Sequence, residues 1–100
     1  MAEKRTYQRA RVNMKVDYSY DNHTNNLGRV IDISKGGMFV QTNDTPGVSA
    51  QLMASIDAED FGKVIWIEGR VVRTTSTGMA VMFTNIDEKG LDNLLLSVNS

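Results

Sequence analysis

A small antiparallel β-barrel with one C-terminal helix is the fold class this sequence predicts, and three observations predict it. Six stretches carry β-branched and aromatic residues in alternation or in short apolar runs, as strands with at least one face in a core do. Turn-forming residues separate these stretches at regular spacing, the pattern of an all-β chain. From Ile86 onward the apolar period becomes helical. Closing the strands into a barrel also removes exposed sheet edges.

Composition bounds the reading. One hundred residues suit one domain with a modest core. With 41% hydrophobic residues, one proline and a net charge of −1, the chain reads as globular. It has no cysteine, which removes disulfides and thiolate metal sites and agrees with a reducing compartment. No apolar run reaches the roughly 20 residues of a membrane helix, and no secretory signal opens the chain. The expected location is therefore cytoplasmic, with no membrane insertion. The charge is uneven: residues 1–16 carry a net +4, and the remainder carries −5. An anion is drawn to the N-terminal arm, and a small one is the more economical partner than a long nucleic acid.

The elements follow in order. Residues 1–10 read as a flexible basic arm, and residues 11–100 as the barrel domain. From Arg11 to Ser19, Val12, Met14, Val16 and Tyr18 alternate with polar residues, predicting a half-buried strand. Residues 21–26 form a polar connection that includes His23, the single histidine. A metal site or a general base needs several convergent groups, so His23 is expected in an exposed turn. Leu27 to Ile33 and Met38 to Gln41 read as two strands of a hairpin, interrupted by Gly36-Gly37. Residues 42–47 form a turn, and Ala50 to Ile56 a short strand. The acidic Asp57-Ala58-Glu59-Asp60 is expected in a solvated loop, because a calcium loop has longer and more defined ligand spacing.

Lys63 to Thr74 is a long strand with Val64, Trp66 and Glu68 on one face and Ile65 and Ile67 on the other. Trp66 is assigned to the core, as a lone strand tryptophan usually is, and Gly69 to a bend or bulge. Residues 74–78 turn into the strand Met79 to Thr84. A helix is expected at about 86–98. Asn85 and Glu88 fit a capping box, and Ile86, Leu91, Leu94, Leu95 and Val98 make the apolar face. Gly90 weakens this helix by about 1 kcal/mol relative to Ala, so packing must hold it.

Two motifs carry the functional reading. Asp32-Ile33-Ser34-Lys35-Gly36-Gly37 offers a carboxylate, a hydroxyl and two glycines that allow positive φ or close approach of a flat ligand. Arg5-Thr6-Tyr7-Gln8-Arg9 sets two guanidinium groups four residues apart, suited to phosphate oxygens and to the face of a purine. An Arg-x-x-x-Arg followed, after one strand and a turn, by Asp-x-Ser-x-x-Gly resembles the PilZ domain, a bacterial receptor module for cyclic di-GMP. Gly69 to Arg73 and Gly78 to Phe83 resemble that family's closing strands, with Ala80 where a second glycine is usual. The resemblance spans nearly the whole chain.

It implies a six-stranded barrel that binds cyclic di-GMP as a ligand, with no cofactor and no metal. Arg5, Arg9, Asp32, Ser34, Gly36 and Gly37 are the expected ligand residues, and Lys4, Arg11, Arg70 and Arg73 are secondary candidates. Lys4, just before the arginine motif, is positioned to influence whether one ligand or a stacked pair is bound. The arm would close over the ligand and alter a surface seen by a downstream protein. No catalytic constellation is present in the sequence, so the expectation is a free-standing adaptor, not an enzyme. Two alternatives stay open: a PilZ-like interaction module without nucleotide affinity, and a barrel for single-stranded nucleic acid. The latter needs exposed aromatic platforms, whereas the aromatic residues here are scattered.

Overall fold

A computed structural model describes residues 9–58 and 62–99 of the chain. Six strands are followed by one helix: β1 Ala10–Tyr20, β2 His23–Ile33, β3 Gly37–Gln41, β4 Gln51–Ala58, β5 Lys63–Thr74, β6 Gly78–Ile86 and α1 Glu88–Asn99. Every neighbouring pair is antiparallel, and the barrel closes in the order β1-β2-β3-β6-β5-β4. The chain thus makes two three-stranded meanders. The first joins the second where β6 meets β3 and where β4 meets β1.

Alternation decides which side chains fill the interior. Val16, Tyr18, Val30, Ile33, Val40, Ile56, Ile65, Ile67, Val71 and Met79 are almost completely buried, and Leu91 and Leu94 of α1 join the same core. Small Ala54 and Ala58 on β4 leave room for the large side chains opposite. The link from β3 to β4 crosses the barrel end away from α1. It is tied there by the Tyr18 hydroxyl, which bonds to Thr42 Oγ1 at 2.9 Å and donates to the carbonyl of Asp44. At the opposite end α1 meets the β2–β3 turn through Lys35 Nζ and Asp92 Oδ1, 3.5 Å apart.

The fold corrects four expectations. The connection at 21–26 is a two-residue turn at Asp21-Asn22, and β2 already begins at His23, whose ring stacks on Tyr20 with centroids 4.9 Å apart. That cross-strand contact extends the hairpin beyond what its polar residues suggest. Trp66 is not core: it is 39% exposed on the outer face of β5, because Ile65 and Ile67 occupy the interior positions. Both faces of this strand are apolar, so its pattern alone did not fix which one faces inward.

The helix cap differs as well. Asn85 and Ile86 remain in β6, and Asp87 is the N-cap, its Oδ1 accepting the N–H of Gly90 at 3.1 Å. Gly90 is explained by the same contact, since a Cβ there would lie 2.6 Å from Asp87 Oδ2. The acidic stretch is divided: Asp57 and Ala58 end β4, while Glu59, Asp60 and Phe61 lie outside the described residues. The bulge expected near Gly69 is present as a register shift between Glu68 and Gly69.

Candidate ligand site at the start of the barrel

Arg9 stands immediately before β1, and Asp32 near the end of β2. The pairing of Ala10 with Ile33 and of Arg11 with Asp32 brings the two segments together. Arg9 Nη1 donates to Asp32 Oδ1 at 3.0 Å, with the side chains 58% and 32% exposed. Lys4 and Arg5, the other expected arginine-motif contacts, lie outside the described residues.

The turn after Asp32 is built from its own bonds. Ser34 is buried at 6% exposure. Its N–H donates to the Gly37 carbonyl at 2.8 Å, its hydroxyl accepts the N–H of Gly36 at 3.3 Å, and the same hydroxyl points a proton at the Gly37 carbonyl at 3.4 Å. The Gly36 carbonyl accepts the N–H of Phe83 at 2.9 Å, fastening the turn to β6. Among the described glycines positive φ is found at Gly62, so this turn does not rely on left-handed glycine. Gly37 is required for another reason: a Cβ there would lie 2.3 Å from the Val81 carbonyl oxygen. Its missing side chain lets β3 approach β6.

Register then extends the site across the barrel wall. Arg11 pairs with Asp32, Asp32 with Phe39, Phe39 with Ala80, and Ala80 with Arg73. A neighbouring row runs from Gly37 through Met82 to Arg70. Directly paired residues share a face, and here that face is the outer one: Arg11, Arg70, Arg73 and Met82 are exposed, and Asp32, Phe39 and Ala80 half-buried. Asp32 and Arg73 are three strand spacings apart, about 14 Å. The result is a shallow strip of Phe39, Ala80 and Met82 with guanidinium groups at both ends.

Three bulges border the first row, between Arg11 and Met14 on β1, Val30 and Asp32 on β2, and Val71 and Arg73 on β5. Bulges re-aim side chains and concentrate near functional sites. Arg11, Arg70 and Arg73 form no ion pair among the described residues, so their forks are available to an anion. A flat ring suits the apolar strip between them, and Asp32 can accept N–H donors from its edge. The structure thus groups Arg9, Arg11, Asp32 and the Ser34–Gly37 turn, with Arg70 and Arg73 across the strip. Sequence reasoning missed Phe39, Ala80 and Met82, because only the strand register aligns them. His23 lies at the far end of β2 from Asp32. Among the described residues no cluster of three His, Cys, Asp or Glu side chains is arranged to hold a metal, and no helix is long and apolar enough to cross a membrane.

Solved structures with the same architecture include the PilZ domain of YcgR from Escherichia coli with c-di-GMP, which is 14% identical, with a TM-score of 0.81 over 97% of this chain and 92% of that one. The inhibitor of motility MotI/DgrA of Bacillus subtilis is 20% identical with a TM-score of 0.78, covering 97% of this chain and 50% of that one. This chain therefore spans half the length of the Bacillus protein. The PilZ domain of CeSA from a cellulose-synthesizing bacterium is 14% identical with a TM-score of 0.75, over 93% of this chain and 99% of that one. At such identities the likeness is one of fold. Comparison with curated protein sequences gives no match. The sequence profile of the PilZ domain matches residues 3–99, nearly the full length. With the motif order and the closed barrel, that match makes this chain a member of the PilZ domain family.

Proposed function

We propose that this chain is a receptor for cyclic di-GMP, which it holds on the outer wall of the barrel between the arginine motif and the Asp32–Gly37 turn. The observation that carries the reading is the 3.0 Å contact of Arg9 with Asp32, which joins the two halves of the motif pair in space. Arg5 and Arg9 bind phosphate oxygens or stack on guanine, Asp32 accepts from guanine N–H groups, and the Gly36-Gly37 backbone lies close to the ligand. Ser34 acts chiefly by holding the turn. Lys4 influences whether one ligand or a stacked pair is bound, and Arg11, Arg70 and Arg73 supply further positive charge around the strip. The ligand acts by discriminating between states of the N-terminal arm, since binding can shift only an equilibrium whose states it distinguishes. The output is a changed protein surface, not a chemical reaction, and the partner is a downstream protein. The names of two structural neighbours, a c-di-GMP-bound domain and an inhibitor of motility, support a signalling role of this kind.

A second reading is favoured by one observation: the Ser34 hydroxyl and the missing side chain of Gly37 are both used by the fold itself, in the turn and at the approach of β3 to β6. The turn motif thus has a structural reason to exist without a nucleotide, as in an adaptor that binds only protein. Isothermal titration of cyclic di-GMP, with GMP as the control, separates the two. Saturable heat with cyclic di-GMP that Arg9→Ala abolishes supports the receptor. Absence of heat at high ligand concentration, with unshifted amide signals by NMR, supports the adaptor.

A further inference from the structure

The outer face of β1, β4 and β5, around the barrel from the Asp32 row, is built differently. β4 lies between β1 and β5, and the register aligns Asp17 with Ser55 and Trp66 in one row and Ser19 with Met53 and Glu68 in the next. A third row holds Lys15, Asp57 and Val64. Trp66, Met53 and Val64 are 39%, 48% and 65% exposed, so neighbouring rows form one apolar patch. Two cavities of about 390 and 270 Å³ open along it and share Ser19, Thr24 and Met53. Trp66 and Asp17 line the smaller, and Glu68 and Asp21 the larger.

The patch has an acidic frame. Asp17, Asp57 and Glu68 stand on it with Lys15, while Arg29 extends the Lys15 row onto β2 and Arg70 pairs with Gln51 one row beyond Glu68; among the described residues none of these acids is in an ion pair. Trp66 is not needed inside, where Ile65 and Ile67 already fill the positions beside it. Contiguous exposed apolar surface rimmed by polar groups marks interaction sites, and tryptophan is prominent among residues that dominate binding energy.

We propose that this face docks a protein segment presenting an arginine beside an apolar side chain. The guanidinium lies over the Trp66 indole and is paired by Asp17 or Glu68, while the apolar neighbour covers Met53. A basic partner is favoured over a second copy of this chain. A two-fold contact would set the same patch against itself, and the acids of one copy would meet those of the other. The proposal concerns rows centred on β4, which adjoin Arg70 but lie apart from the Asp32 row, and does not rest on the nucleotide reading.

The chain has a single tryptophan and three tyrosines, so emission excited at the red edge, where tyrosine does not absorb, reports on this surface alone. The full chain is titrated with a short peptide of alternating arginine and leucine, and with its glutamate-for-arginine twin, while NMR follows the amides. The expected result is a saturable change in Trp66 emission with the arginine peptide only, shifts confined to the outer rows of β1, β4 and β5, and affinity weakened about tenfold in the D17N/E68Q double variant. Thermal unfolding of the double variant checks that it remains folded, and its titration with cyclic di-GMP should match the wild type. Equal responses to both peptides, shifts on another face, or an unchanged affinity in the double variant would overturn the proposal. Self-association by sedimentation that Trp66→Ser abolishes would also overturn it, assigning the face to a second copy.

Discussion

Arg9 and Asp32 are separated by 23 positions in sequence and by 3.0 Å in space. The antiparallel pairing of β1 with β2 brings them together, because Ala10 faces Ile33 and Arg11 faces Asp32. The contact is solvent-exposed, with side chains 58% and 32% accessible. It is a poor stabiliser, and in the proposed receptor it is the contact that would exchange its partner for the ligand.

Arg9→Ala should therefore separate stability from binding. An exposed ion pair contributes about 0–1 kcal/mol after solvent screening, so the denaturant midpoint should barely move. If the arginine contacts phosphate, loss of a charge-assisted bond of about 1.5–3 kcal/mol should weaken cyclic di-GMP binding roughly tenfold to a hundredfold. Calorimetry beside urea unfolding tests this, and a large loss of stability with unchanged affinity would contradict it.

Gly37→Ala should behave in the opposite way. Its Cβ would press on the Val81 backbone oxygen at 2.3 Å, and backbone cannot retreat as a flexible side chain can. A destabilisation of about 1–3 kcal/mol is expected, as for other overpacked sites. Gly47→Ala is the control, since nothing lies within 4 Å of its added methyl group. It should be neutral or stabilise by about 0.4–1 kcal/mol through the unfolded chain. Chemical denaturation of the two variants should thus give shifts of different size and, for a stabilising Gly47→Ala, of opposite sign.

The start of α1 offers a third test. Asp87→Ala removes the N-cap bond to Gly90 and should cost about 0.5–2 kcal/mol. Gly90→Ala, which helix propensity alone would favour by about 1 kcal/mol, should gain little or lose stability, because the new methyl group meets the Asp87 carboxylate at 2.6 Å. In the Asp87→Ala background that obstacle is gone, and Gly90→Ala should then stabilise. Thermal unfolding of the four proteins in this cycle measures the coupling.

Alkaline pH addresses the opposite end of the barrel. Tyr20 donates to Asp44 Oδ1 at 2.6 Å, and this bond to a carboxylate holds the phenol protonated, raising its pKa from 10.0 to about 12. Burial raises Tyr18 in the same direction. A raised folded-state pKa gives stability that is complete below the unfolded value and is lost as pH rises through the folded one. The contribution of Tyr20 should be intact below about pH 10 and disappear towards pH 12. Tyr20→Phe should remove that part of the alkaline stability loss, and ultraviolet titration of the phenols should lose one late-ionising step.

Much of this molecule follows from local chemistry. Val12, Met14, Val16 and Tyr18 mark β1 because side chains alternate across a strand, and the order of six strands and a helix follows from such periods and the turn residues between them. The two motifs were legible as a pair through their resemblance to the PilZ domain, since each by itself also suits a solvated basic tail or an ordinary turn. Tertiary structure decided what depends on neighbours distant in sequence. It turned Trp66 outward, since two isoleucines competed for the same interior. It moved the helix cap from Asn85 to Asp87, since β6 kept pairing with β5 through Ile86. It also aligned Asp32, Phe39, Ala80 and Arg73 in one row, which no local signal contains, because register is a property of paired strands and changes by whole residues.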